Sequence, residues 1–421
     1  MTRRTRALVL GIAAALAAAL LAIALGGRGA GDPAAEARQE LARRSPAPRG
    51  LNVVLVTLDT LRADRLGCYG FRGGETPHLD ALAGEGVLFE QATATVPLTL
   101  PSHASILTGL LPPRHGVRDN GGFSLPEART TLAERLKEAG YATGAFVGSW
   151  VLERRWGLAQ GFDRYSDRFG LDQLQKRGDV VVDDALGWVD GVADGKFFAW
   201  VHLFDPHLPY AAPEPYASRY ASQPYLGEVA YTDALVGRLL DRLSARALLD
   251  RTVVVVTADH GESLGEHGEA AHGFFVYDAT AAVPLIVRTP WGLRGRSATQ
   301  VSLADLFPTV LDLVGLAPQE GLDGRSLLSA LLEPSRDLAH VAYTESFFPR
   351  YHYGWHQLRA VRDGTYKYID APRPELYDLR EDKAEANDLS RSRRRRAEEM
   401  RVLLESRAPE EKGAPTPGAV D

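Results

Sequence analysis

Two aspartates stand where apolar runs end. Val56-Thr57-Leu58-Asp59 and Val256-Thr257-Ala258-Asp259-His260 each close a hydrophobic stretch with a carboxylate, and the second adds an imidazole. A carboxylate at the end of a buried strand is costly unless it is paired or bound to a metal. Either Asp alone is equally well explained as the cap of the following turn. The two together, with His260 beside one of them, point to a shared divalent cation. A third group lies in Thr99-Leu100-Pro101-Ser102-His103. Pro101 suits the first turn of a helix, so Thr99 is expected just before that helix's N-terminus. Free N–H groups and a partial positive charge there favour an anion. A hydroxyl so placed can attack a phosphate or sulfate group held on the cation. For Thr99 taken singly, an ordinary helix cap is the plainer reading.

The elements that must position these groups alternate along the chain. Buried strands are expected at Asn52–Val56, Tyr141–Val147, Lys196–Leu203, Thr252–Val256 and Val283–Val287. Helices are expected from Pro77 through Ala83, and over Thr131–Ala139, Asp179–Val192, Gly227–Ala247 and Ser302–Val314. This alternation predicts an α/β fold, a large and mostly parallel sheet sandwiched by helices. Ligands of such sheets bind at the carboxyl ends of strands, where Asp59 and Asp259 fall. From about His340 the texture changes. Leu358–Val361 and Thr365–Ile369 flank Asp363-Gly364, a strong hairpin signal, and a small antiparallel C-terminal subdomain is expected over 340–390. Residues 391–421 read as a basic helix and a disordered tail.

The chain has 421 residues, 45% of them hydrophobic and 24% charged, which excludes a wholly disordered or collagen-like protein. A net charge of −6 carries no nucleic-acid footprint. The single cysteine, Cys68, excludes an intrachain disulfide and a cysteine-based zinc cluster. Arg3, Arg4 and Arg6 precede an uncharged Ala/Leu-rich stretch from Ala7 to Gly27, long enough to span a bilayer. It reads as a signal peptide or an N-terminal membrane anchor. A linker follows to Gly50, and the catalytic domain is expected over 51–339. Either form of the leader exports the chain, leaving it periplasmic, secreted or anchored to the inner membrane with its catalytic domain outside the cytoplasm.

Four stretches carry a resemblance to the sulfatase family, within the alkaline-phosphatase superfamily. They are Asn52-Val53-Val54-Leu55-Val56-Thr57-Leu58-Asp59-Thr60-Leu61-Arg62, Leu100-Pro101-Ser102-His103 through Thr108-Gly109, Asp259-His260-Gly261-Glu262 with Gly265-Glu266-His267-Gly268, and Glu375-Leu376-Tyr377-Asp378-Leu379. The resemblance implies an alkaline-phosphatase-like fold, with Asp59, Thr99, Asp259 and His260 as metal ligands and Thr99 also as nucleophile. His202, Asp205 and His207, in His-Leu-Phe-Asp-Pro-His, match a stretch that contacts the substrate's anionic group. His272 falls where many sulfatases have Lys, and Asn120 resembles a further substrate-contacting position. His202, His207 and His272 are expected to serve catalysis as bases or as ligands of a second cation, and Asp205 and Asn120 to bind substrate. His115, Glu266 and His267 read as loop scaffolding.

Three positions depart from the sulfatase pattern. Thr99 stands where sulfatases convert Cys or Ser to formylglycine, and a threonine cannot give that aldehyde. His103, which is counted with the catalytic group, replaces the signature's Arg, and Thr60 replaces the second Asp of the usual pair. The set instead resembles superfamily members that use a Thr alkoxide on phosphate esters. The expected function is metal-dependent hydrolysis of phosphate mono- or diesters or of sulfate esters on a small molecule, glycan or lipid. Phosphoryl transfer and a non-catalytic anion- or glycan-binding role are the alternatives. A His at 260 favours Zn²⁺ or Mn²⁺, with Ca²⁺ also admitted. No nucleic-acid partner is expected. The membrane enters only through the N-terminal segment. Pocket selectivity is expected from the Trp150–Arg177 and Pro206–Tyr225 loops.

Overall fold

The computed structural model describes residues 33–44, 50–170 and 174–408. The leader at 7–27, linker residues 28–32 and 45–49 and the last thirteen residues of the tail lie outside them. No helix among the described residues is long and apolar enough to cross a membrane. The helix Pro33–Arg44 falls in a unit of its own, Met1–Pro46, and the second unit is Ala47–Asp421.

The second unit is built on an eight-stranded sheet. In chain order its strands are β1 (Asn52–Leu58), β2 (Val87–Thr93), β3 (Ala142–Val147), β4 (Arg164–Ser166), β5 (Phe197–Leu203), β6 (Thr252–Ala258), β7 (Ala282–Arg288) and β8 (Gly295–Ser302). Their spatial order is β4-β3-β5-β1-β6-β7-β2-β8. Every neighbouring pair is parallel except those of β7, which runs antiparallel to both β6 and β2. β1, β5 and β6 are buried along their whole length, so neither face of the sheet's centre meets water. That is why these segments read as unbroken apolar runs.

Helices form where the caps predict. Thr131 closes a capping box with Glu134 ahead of Leu132–Glu138, which satisfies two otherwise free N–H groups. The long amphipathic helix starts earlier than expected, at Pro224, and runs to Ala245. The expected helix Ser302–Val314 is divided. Ser302 ends β8 and caps a short 3₁₀ turn, Leu303–Asp305, and the α-helix proper is Leu306–Leu313.

A second sheet is antiparallel, with β9 (Ala342–Ser346), β10 (Leu358–Arg362), β11 (Tyr366–Asp370) and β12 (Glu375–Asp378) in the order β12-β11-β10-β9. The predicted hairpin is β10–β11, turning at Gly364 with φ 89°. A buried ion cluster docks this sheet beside β7. Lys367 Nζ lies 2.9 Å from Asp278 Oδ1 and 2.9 Å from Glu385 Oε1. Arg362 Nη1 lies 2.8 Å from Asp278 Oδ2. The helix Arg394–Arg407 packs Met400 and Leu404 against Tyr343, Val361, Tyr368 and Leu376 of the sheet.

Removing one partner of a buried ion cluster leaves the others uncompensated. Lys367→Met should therefore destabilise the protein by about 3–5 kcal/mol, the range for breaking buried pairs. Chemical denaturation reads this as a lower midpoint, and an unchanged midpoint would remove the cluster from the docking account.

Candidate active site

Strand register brings the two aspartates together. β1 lies between β5 and β6, with Leu58 opposite Ala258 and Thr57 opposite His202. Asp59 and Asp259 are the next residues on adjacent parallel strands, so both carboxylates emerge at the same carboxyl edge. The turn after β1 is held by Tyr225, whose hydroxyl donates to Thr60 O (2.9 Å) and accepts from Arg62 N (3.0 Å). Thr60 takes φ 55° there, a left-handed conformation that is strained for a β-branched residue. The helix Thr99–Thr108 begins with Thr99 itself, one residue earlier than expected, and Leu98 is its N-cap. Ser102 Oγ donates to Asp259 O (2.6 Å) and ties this helix to the end of β6. The anion-binding capacity of the helix end is narrower than predicted. Leu100 N already donates to Asn120 Oδ1 (2.8 Å), and Pro101 has no N–H.

Asp59, Asp259 and His260 offer ligand atoms within 4.8 Å of one another, all buried. His260 Nε2 lies 3.6 Å from Asp59 Oδ1 and 3.5 Å from Asp259 Oδ2. Thr99 Oγ1 lies 3.5 Å from Asp59 Oδ2 and 3.4 Å from His260 Nε2. His260 Nδ1 donates to Gly261 O at 3.0 Å, so its neutral ring turns a bare Nε2 toward the carboxylates. A backbone carbonyl fixing one ring nitrogen is how metal-ligating histidines are oriented. Asp59 Oδ1 and Asp259 Oδ2 are buried without a hydrogen-bond partner among the described residues. Two carboxylate oxygens with no hydrogen-bond partner and one bare imidazole nitrogen converge, a donor set that fits a divalent cation. Burial pushes both carboxyls up to about 7 in the metal-free chain, with Asp59 adding to the rise at Asp259.

A second network lies beside this cluster and was not foreseen from the sequence. Thr57 Oγ1 meets Trp200 Nε1 (3.0 Å), His103 Nε2 (3.0 Å) and His202 Nδ1 (3.2 Å). Trp200 can only donate. His103 Nδ1 faces the Thr99 carbonyl at 2.8 Å, so it carries the proton of a neutral ring and Nε2 is bare. Thr57 therefore donates to His103 and accepts from both Trp200 and His202. His202 then holds its proton on Nδ1 and presents a bare Nε2, buried without a hydrogen-bond partner, 3.4 Å from Asp59 Oδ2. Burial lowers His202 to about 4 and His103 to about 3, which keeps both rings neutral. The readable sign of this network was the polar Thr57 between the apolar run Val53–Val56 and Leu58.

Of the remaining expected residues, His272 joins the site through its ring, 4.4 Å from that of His260. Its Nδ1 pairs with Glu262 Oε1 at 2.9 Å, and Tyr210 donates to Glu262 Oε2 at 3.4 Å. In the sequence Glu262 stood only within the family stretch, with no role of its own, and Tyr210 only as a ring of the Pro206–Tyr225 loop. His207 stacks on Phe204 and sets its ring 5.0 Å from His272. Asp205 is placed differently. Its Oδ1 accepts from Gly178 N (3.0 Å) at the start of the helix Gly178–Val192, outside the hydrogen bonds of the cluster. Asn120 sits beside Asp119, whose Oδ2 pairs with His352 Nε2 at 2.7 Å. His115 bonds Ser105 Oγ (3.0 Å), Glu266 pairs with Arg62 (2.7 Å), and His267 stacks on Tyr277.

The family model described as Sulfatase matches residues 51–316, and that of the N-sulphoglucosamine sulphohydrolase C-terminal region matches 265–410. The chain belongs to the sulfatase family. Among its relatives, the ulvan-active sulfatase of Formosa agariphila is 28% identical, covering 76% of this chain and 73% of its own. Human arylsulfatase A is 28% identical, covering 75% and 74%. Among solved structures, the phosphonate monoester hydrolase of Agrobacterium radiobacter superposes with a TM-score of 0.73 at 22% identity, covering 85% of this chain and 95% of its own. A protein in complex with its substrate D-glucosamine-2-N,6-O-disulfate gives 0.75 at 22% identity, covering 87% and 100%. These structures share the fold described above. Family membership makes the chain an ester hydrolase, and enzymes of this family use a divalent metal, with which the Asp59–Asp259–His260 cluster is compatible. In this sulfatase-family chain the single cysteine lies in the turn Gly67–Tyr69. Burial and Asp80 push its thiol up to about 12, which disfavours the thiolate.

Protons compete with the cation for these carboxylates. A cation binds the ionised form, and ionisation of Asp59 and Asp259 requires pH above about 7. Affinity should therefore fall as pH drops below 7, by about tenfold per unit for each proton displaced. Chelator-competition titrations with Zn²⁺ or Mn²⁺ at pH 8 and pH 6 measure this. Equal affinity at the two values would contradict the ligand assignment, as would unchanged metal content in Asp259→Ala.

Proposed function

We propose that this chain hydrolyses phosphate mono- or diesters, with Thr99 as the nucleophile on a divalent cation held by Asp59, Asp259, His260 and Thr99 itself. The observation that carries this reading is the place of Thr99 Oγ1, buried and 3.4–3.5 Å from His260 and Asp59. A threonine there cannot follow the formylglycine route, so the hydroxyl itself must attack. When bound, the cation neutralises the two carboxylates and favours loss of the Thr99 hydroxyl proton. Thr99 Oγ1 would then bond to phosphorus in line while the bond from phosphorus to the alcohol oxygen breaks, and the leaving alkoxide would take up one proton, balancing the one Thr99 gives up. This forms a covalent Thr99 phosphoester.

Water must cleave that ester, and the water's proton needs an acceptor. His272 supports this role. Its Nδ1 is directed at the Glu262 carboxyl, and burial lowers its pKa to about 4, so the ring is neutral; with Glu262 ionised, Nδ1 carries the proton and Nε2 is bare. A ring oriented by a carboxyl on one nitrogen and free on the other is the arrangement of a general base. His207 and His202 supply further neutral rings at the same edge. Asn120, bound to Leu100 N beside Thr99, supports a substrate contact. Hydrolysis of sulfate esters is the second reading, supported by the sulfatases among the relatives. Zn²⁺ or Mn²⁺ suits the mixed oxygen and nitrogen ligands. Export rests on the Arg3–Arg6 and Ala7–Gly27 pattern.

Aryl sulfate, phosphate monoester and phosphodiester substrates, assayed with metal-stripped and Thr99→Ala controls, test the reading. Phosphate esters should turn over faster than sulfate esters. Thr99→Ala should lose roughly a thousandfold or more in kcat/KM. Turnover of sulfate esters alone would replace the phosphate reading with the second one. Full activity in Thr99→Ala would end the nucleophile assignment.

A further inference from the structure

A cavity of about 470 Å³ opens where the antiparallel sheet meets the main one. From the main sheet's side, the turn after β1 gives Arg62 and β2 gives Glu90 and Gln91. From the other side, the β10–β11 hairpin gives Arg362 and Gly364, and the segment after β12 gives Arg380 and Lys383. Gly364, at φ 89°, puts no side chain into the space. The pairing of β2 is irregular beyond Phe89 toward both of its neighbours, on the same stretch that lines the cavity.

Charge in this cavity does not cancel. Arg62 Nη2 pairs with Asp64 at 2.8 Å, Arg296 Nε with Glu90 at 2.8 Å, and Arg362 Nη1 with Asp278 at 2.8 Å. Each carboxylate of the lining is thus matched by an arginine of the lining. Arg380 and Lys383 are left over, and neither side chain makes a hydrogen bond or ion pair among the described residues. The two acidic residues between them do not line the cavity, and Asp382 spends its oxygens on Ala386 N and Asn387 N. Arg362 adds an Nε that is buried without a partner. The lining therefore carries an excess of two positive charges, in a chain whose net charge is −6. A cationic recess with low-dielectric walls concentrates anions. Guanidinium and ammonium groups match the oxygens of a phosphate- or sulfate-type ion.

We propose that this cavity is a second anion site, separate from the catalytic centre, which binds a tetrahedral oxyanion of the phosphate or sulfate type through Arg380 and Lys383. None of Asp59, Thr99, Asp259 and His260 lines it. Its wall nevertheless backs onto their segment. Gly261 N donates to Thr280 O at 2.7 Å, and a Cβ at Gly261 would stand 2.3 Å from the oxygen of Ala279, which lines the cavity. Arg62 Nη1 donates to Glu262 O at 3.0 Å. The ligand is of the class that ester hydrolysis releases, so the enzyme's own reaction supplies it. The site does not depend on which ester is cleaved. Its volume also admits an oxyanion carried on a larger molecule.

Equilibrium dialysis of radiolabelled phosphate and sulfate against the metal-loaded protein, at constant ionic strength, counts the bound anions. The proteins compared are the wild type, Arg380→Ala/Lys383→Ala and Arg380→Glu/Lys383→Glu. Both positions are exposed and outside the proposed catalytic machinery, so fold and ester turnover should be unchanged. The wild type should hold one anion in the cavity besides any at the metal centre. The alanine pair should weaken the cavity site by about tenfold or more. The glutamate pair, which turns the excess of two positive charges into two negative ones, should abolish it. Removing the metal should leave the cavity anion in place. Methylphosphonate that competes as well as phosphate would mark a group carried on a larger molecule, and a preference for phosphate would mark the free ion. The same anion count and affinity in all three proteins would overturn the cavity site and leave the hydrolase reading intact. So would an anion lost with the metal but with neither variant, which would belong to the catalytic centre.

Discussion

The Asp59 and Asp259 carboxylates are held side by side with no exposure to water, and the architecture around them answers to that fact. Parallel neighbours β1 and β6 end in register, so the two groups cannot avoid each other. Burial makes their ionised forms costly and pushes both up to about 7. A histidine whose Nδ1 is already committed to a carbonyl offers no proton to relieve them. The arrangement is compatible with a divalent cation, and the hydroxyl that opens the adjacent helix lies 3.5 Å from Asp59 Oδ2 and 3.4 Å from His260 Nε2.

The neutral histidines extend the same logic. In a fully buried cluster each ring settles on one tautomer, dictated by what its other nitrogen meets. The Thr99 carbonyl sets His103, and Thr57, which gives its one proton to His103 and accepts from Trp200 and His202, sets His202, so both rings carry their proton on Nδ1. The Arg of the sulfatase signature would bring a permanent charge to this position. His103 replaces it with a neutral donor to the Thr99 backbone. The departures from the family pattern at Thr99, His103 and Thr60 thus fall within one connected region.

Much of this was legible in the sequence, for physical reasons. β1, β5, β6 and β7 are buried on both faces and read as unbroken apolar runs. Asp59, Asp259 and His260 stood out because a charge ends such a run. The rest failed where local signals are weak. β8 is an edge strand of mixed polarity, Gly-Arg-Ser-Ala-Thr-Gln-Val-Ser, and β2 carries an exposed Glu90 and an irregular register that breaks its pattern. β7 was found, but its antiparallel direction depends on pairing that no single strand encodes. Thr57 acts through Trp200 and His202, 143 and 145 residues away, and Glu262 through His272, 10 residues away, so only register and tautomer reveal them.

The central claim is that Thr99 becomes covalently esterified during turnover. Rapid acid quench of the metal-loaded enzyme with a phosphate ester, followed by peptide mass spectrometry, tests it directly. The account predicts one phosphoryl group on the peptide containing Thr99, at Thr99 itself. Product formation with no adduct on Thr99 at any quench time, or with the phosphoryl group on another residue, would contradict it.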